Sequence, residues 1–299
     1  MLLEVFQVDA FTTNMFEGNP AGVVLHAEGL SERQMVQIAN ELHNSETAFI
    51  FDKGGAGYDL EVRFFTPTQE VPICGHATIA THYVYAKVHE ITSGIIKQKT
   101  KVGILDVEII KEGDDLRIVM TQAAITFGKV LAGKQRQLLL SGLDISEQDL
   151  DASLPIQIIS TGHSKVMVPL LQRKVLDALF PKSDILSQLS KDIHCNGFYT
   201  FTFDSGEEGI LTSGRMFAPA IGIQEDPVTG NANGPLGAYL THYGRLEKRT
   251  EGTSFMVKQG EALGRKGYMQ VQVFSSPTEP NLVKVSGRAR IIFTTTIKL

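Results

Sequence analysis

A pattern that occurs twice constrains this chain more than any other feature. Arg63-Phe64-Phe65-Thr66-Pro67 and Arg215-Met216-Phe217-Ala218-Pro219 share Arg-x-Phe-x-Pro, and a glycine-bearing loop follows each and leads into a helix-patterned run. In the first copy the loop is Pro72-Ile73-Cys74-Gly75-His76-Ala77-Thr78, ahead of Ile79, Ala80, Tyr83 and Val84. In the second it is Glu225-Asp226-Pro227-Val228-Thr229-Gly230-Asn231-Ala232-Asn233-Gly234, ahead of Pro235-Leu236-Gly237-Ala238-Tyr239-Leu240. Two echoes precede these: residues 18–25 against 162–169, and Asn44 before Thr47-Ala48-Phe49 against Asn196 before Tyr199-Thr200-Phe201. The separation grows from 144 at Gly18/Gly162 through 152 at Asn44/Asn196 and Arg63/Arg215 to 155 at Gly75/Gly230. A slow drift of this kind is what short loop insertions leave in a duplicated chain. Two copies at so long a period mean paired domains and not a solenoid.

With 299 residues, each copy is large enough to bury its own core. The boundaries expected are residues 1–122, completed by the last strand at about 285–299, and residues 123–284. Residues 5–11 and 21–25 read as strands. Ser31-Glu32-Arg33-Gln34 opens a capped helix with Met35, Ile38, Ala39 and Leu42 on its apolar face, and Glu46 stands at the entrance of an apolar strand to Phe51. A helical patch is expected at 136–143 and again at 146–150. Strands come in runs, with one principal helix per copy after the glycine loop, which predicts an α+β fold with a sheet wrapped on a central helix. Neither GxGxxG nor GxxxxGK[ST] occurs, so nucleotide-binding folds are not indicated.

Charge narrows the partners. The net charge is −5 and there is no basic run, so nucleic acid has no electrostatic footing here. No apolar stretch reaches the roughly 20 residues that span a bilayer, and the N-terminus lacks a cationic start; membrane association is not expected, and the chain is assigned to the cytoplasm. Two cysteines, Cys74 and Cys195, make no disulfide framework. His43, His82, His163, His194 and His242 show no metal-ligand spacing with carboxylates, and no metal is expected.

A glycine loop feeding a helix N-terminus favours anions, because the first N–H groups lack partners and the dipole is positive there. If the two copies pack about a pseudo-twofold axis, both loops meet in one cleft suited to a small anionic metabolite. The alternative is that glycine and asparagine only cap two helices. Glu46, with apolar neighbours, would be pushed towards its protonated form and could act as a general acid/base; equally it could pair with a lysine or cap a turn. His76 reads as a site residue or as a core or capping histidine. Asp226, held before Pro227, could orient His76 or bind a substrate amine or hydroxyl, or be structural. Glu225 is expected to be solvated. A two-thiol mechanism is excluded, since the second loop has no cysteine.

Asp9-Ala10-Phe11-Thr12, Gly18-Asn19-Pro20-Ala21-Gly22-Val23-Val24, Asn44-Ser45-Glu46-Thr47-Ala48-Phe49, Cys74-Gly75-His76-Ala77-Thr78, the first Arg-x-Phe-x-Pro and the Glu225–Gly234 loop together resemble the PhzF-like isomerase family, named for phenazine biosynthesis, and most closely its YddE branch. The resemblance covers essentially the whole chain. It implies the diaminopimelate-epimerase-like fold: two pseudo-twofold-related domains, each a mixed sheet curled around a central helix, with a cofactor-independent site between them. It implies Glu46, His76 and Asp226 as catalytic residues, with Asn19, Cys74, Gly75, Ala77, Gly230, Asn231 and Ala232 around the substrate, and no cofactor. A homodimer is expected. Where the phenazine enzyme has serine after Thr-Gly, this chain has Asn231, so the phenazine substrate itself does not follow. The diaminopimelate epimerases carry a cysteine in each loop, which this chain does not. Two other functions stay open: a small-carboxylate-binding or regulatory protein with the same cleft, and a structural homodimer whose loops are caps.

Overall fold

In the computed structural model, which describes residues 1–299, the chain divides into two compact units. Unit 1 is Met1–Thr121 with Ser286–Leu299, and unit 2 is Gln122–Val285. Unit 1 runs β1 (Leu2–Ala10), β2 (Asn19–Leu25), α1 (Glu32–Leu42), β3 (Thr47–Phe51), β4 (Leu60–Phe65), β5 (Glu70–Val71), α2 (Gly75–Val88), β6 (Gly94–Thr100), β7 (Gly103–Glu112) and β8 (Asp115–Thr121). Unit 2 runs β9 (Thr126–Val130), α3 (Gly133–Leu143), β10 (Gln157–Ser160), β11 (Ser164–Leu170), α4 (Arg173–Ala178), α5 (Ser183–Ile193), β12 (Phe198–Thr202), β13 (Ile210–Ala218), β14 (Ile223–Asp226), α6 (Gly230–His242), β15 (Thr253–Gln259) and β16 (Gly267–Ser275). The chain then returns through β17 (Pro280–Gly287) to β18 (Ala289–Lys298).

Strand pairing follows one plan in both units. In unit 1, β1/β2 is antiparallel, β2/β3 parallel, β3/β4 antiparallel, β4/β6 parallel, and β6/β7/β8 antiparallel, with β5 hooked onto β4. In unit 2, β10/β11 is antiparallel, β11/β12 parallel, β12/β13 antiparallel, β13/β15 parallel and β15/β16 antiparallel, with β14 hooked onto β13. The Arg-x-Phe-x-Pro motifs occupy equivalent places in these two ladders, Arg63 opposite Phe49 and Arg215 opposite Thr200, which shifts the Asn44/Asn196 echo by one residue, so that Asn44 corresponds to Cys195. At the edge, β18 extends unit 1 beyond β1, and β9 extends unit 2 beyond β10.

The helix after each glycine loop is the centre of its unit. Every residue from Gly75 to Val84 is buried in α2, and in α6 so is every residue from Ala232 to Thr241. A helix without a polar face is one enclosed by protein. α2 packs on β1, β2 and β8, and α6 on β10, β11 and β16. The opposite sheet faces are covered too. Met35, Ile38 and Ala39 of α1 lie on Val24, Phe49 and Phe65, while Leu139, Leu143, Leu186 and Leu189 of α3 and α5 lie on Val166, Val168, Phe198 and Phe217. Strands covered on both faces are buried along nearly their whole length, as β3 and β12 are.

Local signals set the ends. Ser31 and Gln34 form a reciprocal capping box on α1, with Gln34 N donating to Ser31 Oγ at 3.3 Å and Ser31 N to Gln34 Oε1 at 3.0 Å. The patch at 146–150 closes only a single 3₁₀ turn at Glu147–Asp149.

Glu225, expected in solvent, is instead in strand β14 and in a buried ion pair. Arg215 donates to it twice, Nε to Oε1 at 2.9 Å and Nη2 to Oε2 at 2.7 Å, and both side chains are 10% exposed. Arg63 grips Glu70 in the same way at 2.9 and 2.6 Å, and each guanidinium lies 5.1 Å from the ring of the phenylalanine two residues on. Arg-x-Phe-x-Pro is therefore a structural clamp that ties the strand before each glycine loop to the short hooked strand after it. No helix is long and apolar enough to cross a membrane.

Candidate functional site

In unit 1, Cys74 is the N-cap of α2 and has an extended backbone, but its side chain makes no capping bond. Its carbonyl accepts from Thr78 N at 3.0 Å and Thr78 Oγ1 at 2.7 Å, which holds the first turn. The thiol turns to His76, with Sγ 3.4 Å from Nδ1. The thiol is also 3.9 Å from Nε2, which lies 3.5 Å from Glu46 Oε2 and 3.4 Å from Ser45 Oγ. His76 is buried, and the Glu46 side chain is 16% exposed.

Glu46 reaches this position because the turn before β3 is pinned. Asn44 and Gln7 exchange two side-chain hydrogen bonds at 2.8 and 2.9 Å, fixing the Asn-Ser-Glu turn to β1. Gly22 N donates to the Glu46 carbonyl at 3.3 Å, and a Cβ at Gly22 would sit 2.7 Å from Thr47 Oγ1, so glycine is needed for that close approach. Asn19 is buried at the start of β2 opposite Ala10.

The imidazole thus has a thiol and a carboxyl gathered beside it, and it can exchange a proton with the Glu46 carboxyl through Nε2. The same three residues offer carboxylate, imidazole and thiol atoms all within 4.8 Å of one another, so they are also the residues able to hold a metal ion. A search for ligand spacing among the other histidines could not meet this trio, because Glu46 comes from a different element.

In unit 2, Asp226 ends β14, and Thr229, the N-cap of α6, donates its hydroxyl to Asp226 Oδ2 instead of capping the helix. Gln259 of β15 organises this loop. Its Nε2 donates to the Asp226 carbonyl at 2.7 Å, and its Oε1 accepts from Thr229 N at 3.2 Å and Asn233 Nδ2 at 3.0 Å. Asn233 in turn accepts from the buried Tyr199 hydroxyl at 2.6 Å. Nothing in the linear pattern singles out Gln259, since its partners lie 26 to 33 residues away.

Both helix entrances are without a side-chain cap. A Cβ on Gly75 would meet no atom within 4 Å, so there is open space at the α2 entrance. The methyl groups of Ala77 and Ala232 are fully buried, and the Ala232 N–H already bonds the Thr229 carbonyl at 3.1 Å. Gly230 and Asn231 are left as the donors at the open end of α6. Glu46, Cys74, Gly75, His76 and Ala77 are thus brought together in unit 1, and Asp226, Gly230, Asn231 and Ala232 in unit 2.

The family model for phenazine biosynthesis-like proteins matches residues 8–295. The chain is 53% identical to an uncharacterized isomerase of Clostridium acetobutylicum and 48% identical to the uncharacterized isomerase YddE of Escherichia coli, in each case over 97% of this chain and 96% of the relative. It is 32% identical, over 94% of both chains, to a trans-2,3-dihydro-3-hydroxyanthranilate isomerase of Pseudomonas chlororaphis. A crystal structure of the PhzF-family protein of Bacillus anthracis superposes with a TM-score of 0.90 at 31% identity, covering 100% of both chains. A hydroxyproline epimerase from Agrobacterium vitis shares the fold alone, with a TM-score of 0.65 at 11% identity over 100% of this chain and 93% of that one. The duplicated ladders, the central helices and these matches agree: the chain belongs to the phenazine biosynthesis-like family of isomerases, with the diaminopimelate-epimerase-like α+β fold.

Proposed function

We propose that this protein moves a proton on a small carboxylic acid, an amino- or hydroxy-acid, by acid/base catalysis without a cofactor. Glu46 takes the proton up and returns it. The observation that carries this reading is the Glu46–His76–Cys74 cluster: a mostly buried carboxyl 3.5 Å from an imidazole that a thiol also contacts.

Removing a proton next to a carboxylate builds negative charge on the acid, and an uncapped helix entrance offers N–H groups and a positive dipole to that charge. In this reading His76 restores Glu46 to the protonation state it needs, and Asp226 engages the amine or hydroxyl. The compound for which the Pseudomonas chlororaphis relative is named, trans-2,3-dihydro-3-hydroxyanthranilate, is itself a small acid with an amine and a hydroxyl.

The test is solvent exchange. Incubated in deuterium oxide with a panel of small amino- and hydroxy-acids, the wild-type protein should place deuterium on one of them, detected by mass spectrometry. Glu46→Gln should abolish the exchange and leave the melting temperature unchanged, whereas wild-type-like exchange in that variant refutes the assignment. General acid/base groups of this kind contribute roughly 10²- to 10⁴-fold to rate, so His76→Asn should slow exchange within that range. Binding of an acid with no exchange in the wild type would favour the carboxylate-binding alternative.

A further inference from the structure

Unit 2 contains a lysine that the Glu46–His76–Cys74 cluster does not use, and its position is informative. Lys165 is the second residue of β11. Its stem crosses Gly197: a Cβ built on that glycine would fall 2.3 Å from the lysine Cδ, 2.7 Å from Cε and 3.3 Å from Nζ. The glycine makes room for the side chain.

Gly197 holds in unit 2 the place that Glu46 holds in unit 1. Val166 N donates to the Gly197 carbonyl at 2.8 Å, just as Gly22 N donates to the Glu46 carbonyl at 3.3 Å, in the equivalent parallel pairs β11/β12 and β2/β3. Lys165 itself corresponds to Ala21, the residue before Gly22. The duplication is thus broken at one spot. Where one copy has a carboxyl, the other has an empty residue with an ammonium laid across it.

That ammonium has no acidic partner at ion-pair distance; it donates only to the Ser164 carbonyl at 3.1 Å. Lys258, which is buried in unit 2 where Lys165 is half-buried, has carboxylates of Glu207 and Glu261 at 3.2 and 3.1 Å. An under-paired cation among protein atoms is disfavoured, and burial pushes the Lys165 pKa down while Cys195 and Asp226 pull it back from farther away. Glu46 stands beside the first turn of α2, so by the duplication the lysine at the Gly197 position lies on the side of unit 2 where α6 begins.

We propose that Lys165 is a substrate-contact residue, binding the carboxylate of the acid in unit 2 together with the first N–H groups of α6. The acid's proton-bearing carbon is left to Glu46. The anion site stands on unit 2 alone; its being the substrate's carboxylate rests on the isomerase reading.

Calorimetric titration tests it with lactate, malate and alanine, each against its amide. At least one acid should bind the wild type while its amide does not. A hydrogen bond between two charged groups corresponds to roughly a ten- to hundredfold change in affinity, and Lys165→Met should weaken acid binding by that factor. Lys165→Arg should keep part of the affinity. Gly197→Ala, which keeps the charge but displaces the stem, should reproduce the loss of Lys165→Met at an unchanged melting temperature. Unchanged acid affinity in both Lys165→Met and Gly197→Ala overturns the proposal, as does a wild type that binds none of the acids. So does a Lys165→Met protein that binds normally and only turns over more slowly, raising neither Kd nor KM. Glu46→Gln separates the two readings, because it should lose exchange and still bind the acid.

Discussion

Gly75 and His82 sit seven residues apart on the same buried helix and answer to different physics. Gly75 has an ordinary backbone and open space where its Cβ would be, so the glycine is not demanded by packing. Gly75→Val should therefore fold with a wild-type melting temperature, yet weaken acid binding by filling the α2 entrance; unchanged affinity by calorimetry would count against an anion cradle there. His82 is fully enclosed, with Nε2 2.8 Å from Gln98 Oε1 and no partner for Nδ1. Burial pushes its pKa down from 6.5 to about 4, with Gln98 opposing. Between those values the unfolded chain binds a proton that the folded one does not. Stability is then complete above pH 6.5 and falls as the pH drops towards 4, by roughly 3 kcal/mol from this group. Urea unfolding from pH 7 to 4 should show that slope, and His82→Gln should remove its share.

Among the elements, the two hooked strands differ in how much they depend on their clamps. Arg215 and Glu225 are both 10% exposed, and Arg215 also donates to the Leu176 and Leu179 carbonyls, so it ties β13 to β14 and to the end of α4. Removing one charge from a buried pair leaves the other uncompensated, which costs about 3–5 kcal/mol. Glu225→Gln should destabilise unit 2 by that order, read from urea unfolding. Lys101 also reaches Glu70 at 2.6 Å, but it is 53% exposed and Glu70 keeps both hydrogen bonds from Arg63 without it, so the contact contributes about 0–1 kcal/mol. Lys101→Ala should therefore change stability little. The arginines and phenylalanines of these clamps are evident as a repeated motif. Their carboxylate partners are not, because Glu70 and Glu225 follow at different spacings and Glu225 sits in what reads as a loop.

At the scale of the whole molecule, the last strand belongs with the first. β18 pairs with β1 from Leu2↔Lys298 to Ala10↔Ala289, and the Met1 amino group donates to the Leu299 carbonyl at 2.6 Å. Ending the chain after Val285 removes that ladder and uncovers the edge of β1. Hydrogen exchange should then show lost protection in β1 and β2, with β11–β13 of unit 2 unchanged; equal loss in both units would mean that they do not behave as separate cooperative blocks.

Sequence by itself determined the duplication, the α+β class, the two glycine-led helix entrances and the candidates Glu46, His76 and Asp226. Those features are written in local chemistry: hydrophobic period, turn residues and motifs that recur along one stretch of chain. Only the tertiary structure decided that Cys74 and Glu46 gather around one imidazole, that Glu225 is locked to Arg215, and that Gln259 braces the Asp226 loop. The same holds for Lys165 lying across Gly197 where the other copy presents a carboxyl. Each of these joins side chains from different elements, and a contact made across a sheet leaves no period or spacing in the sequence for a reader to find.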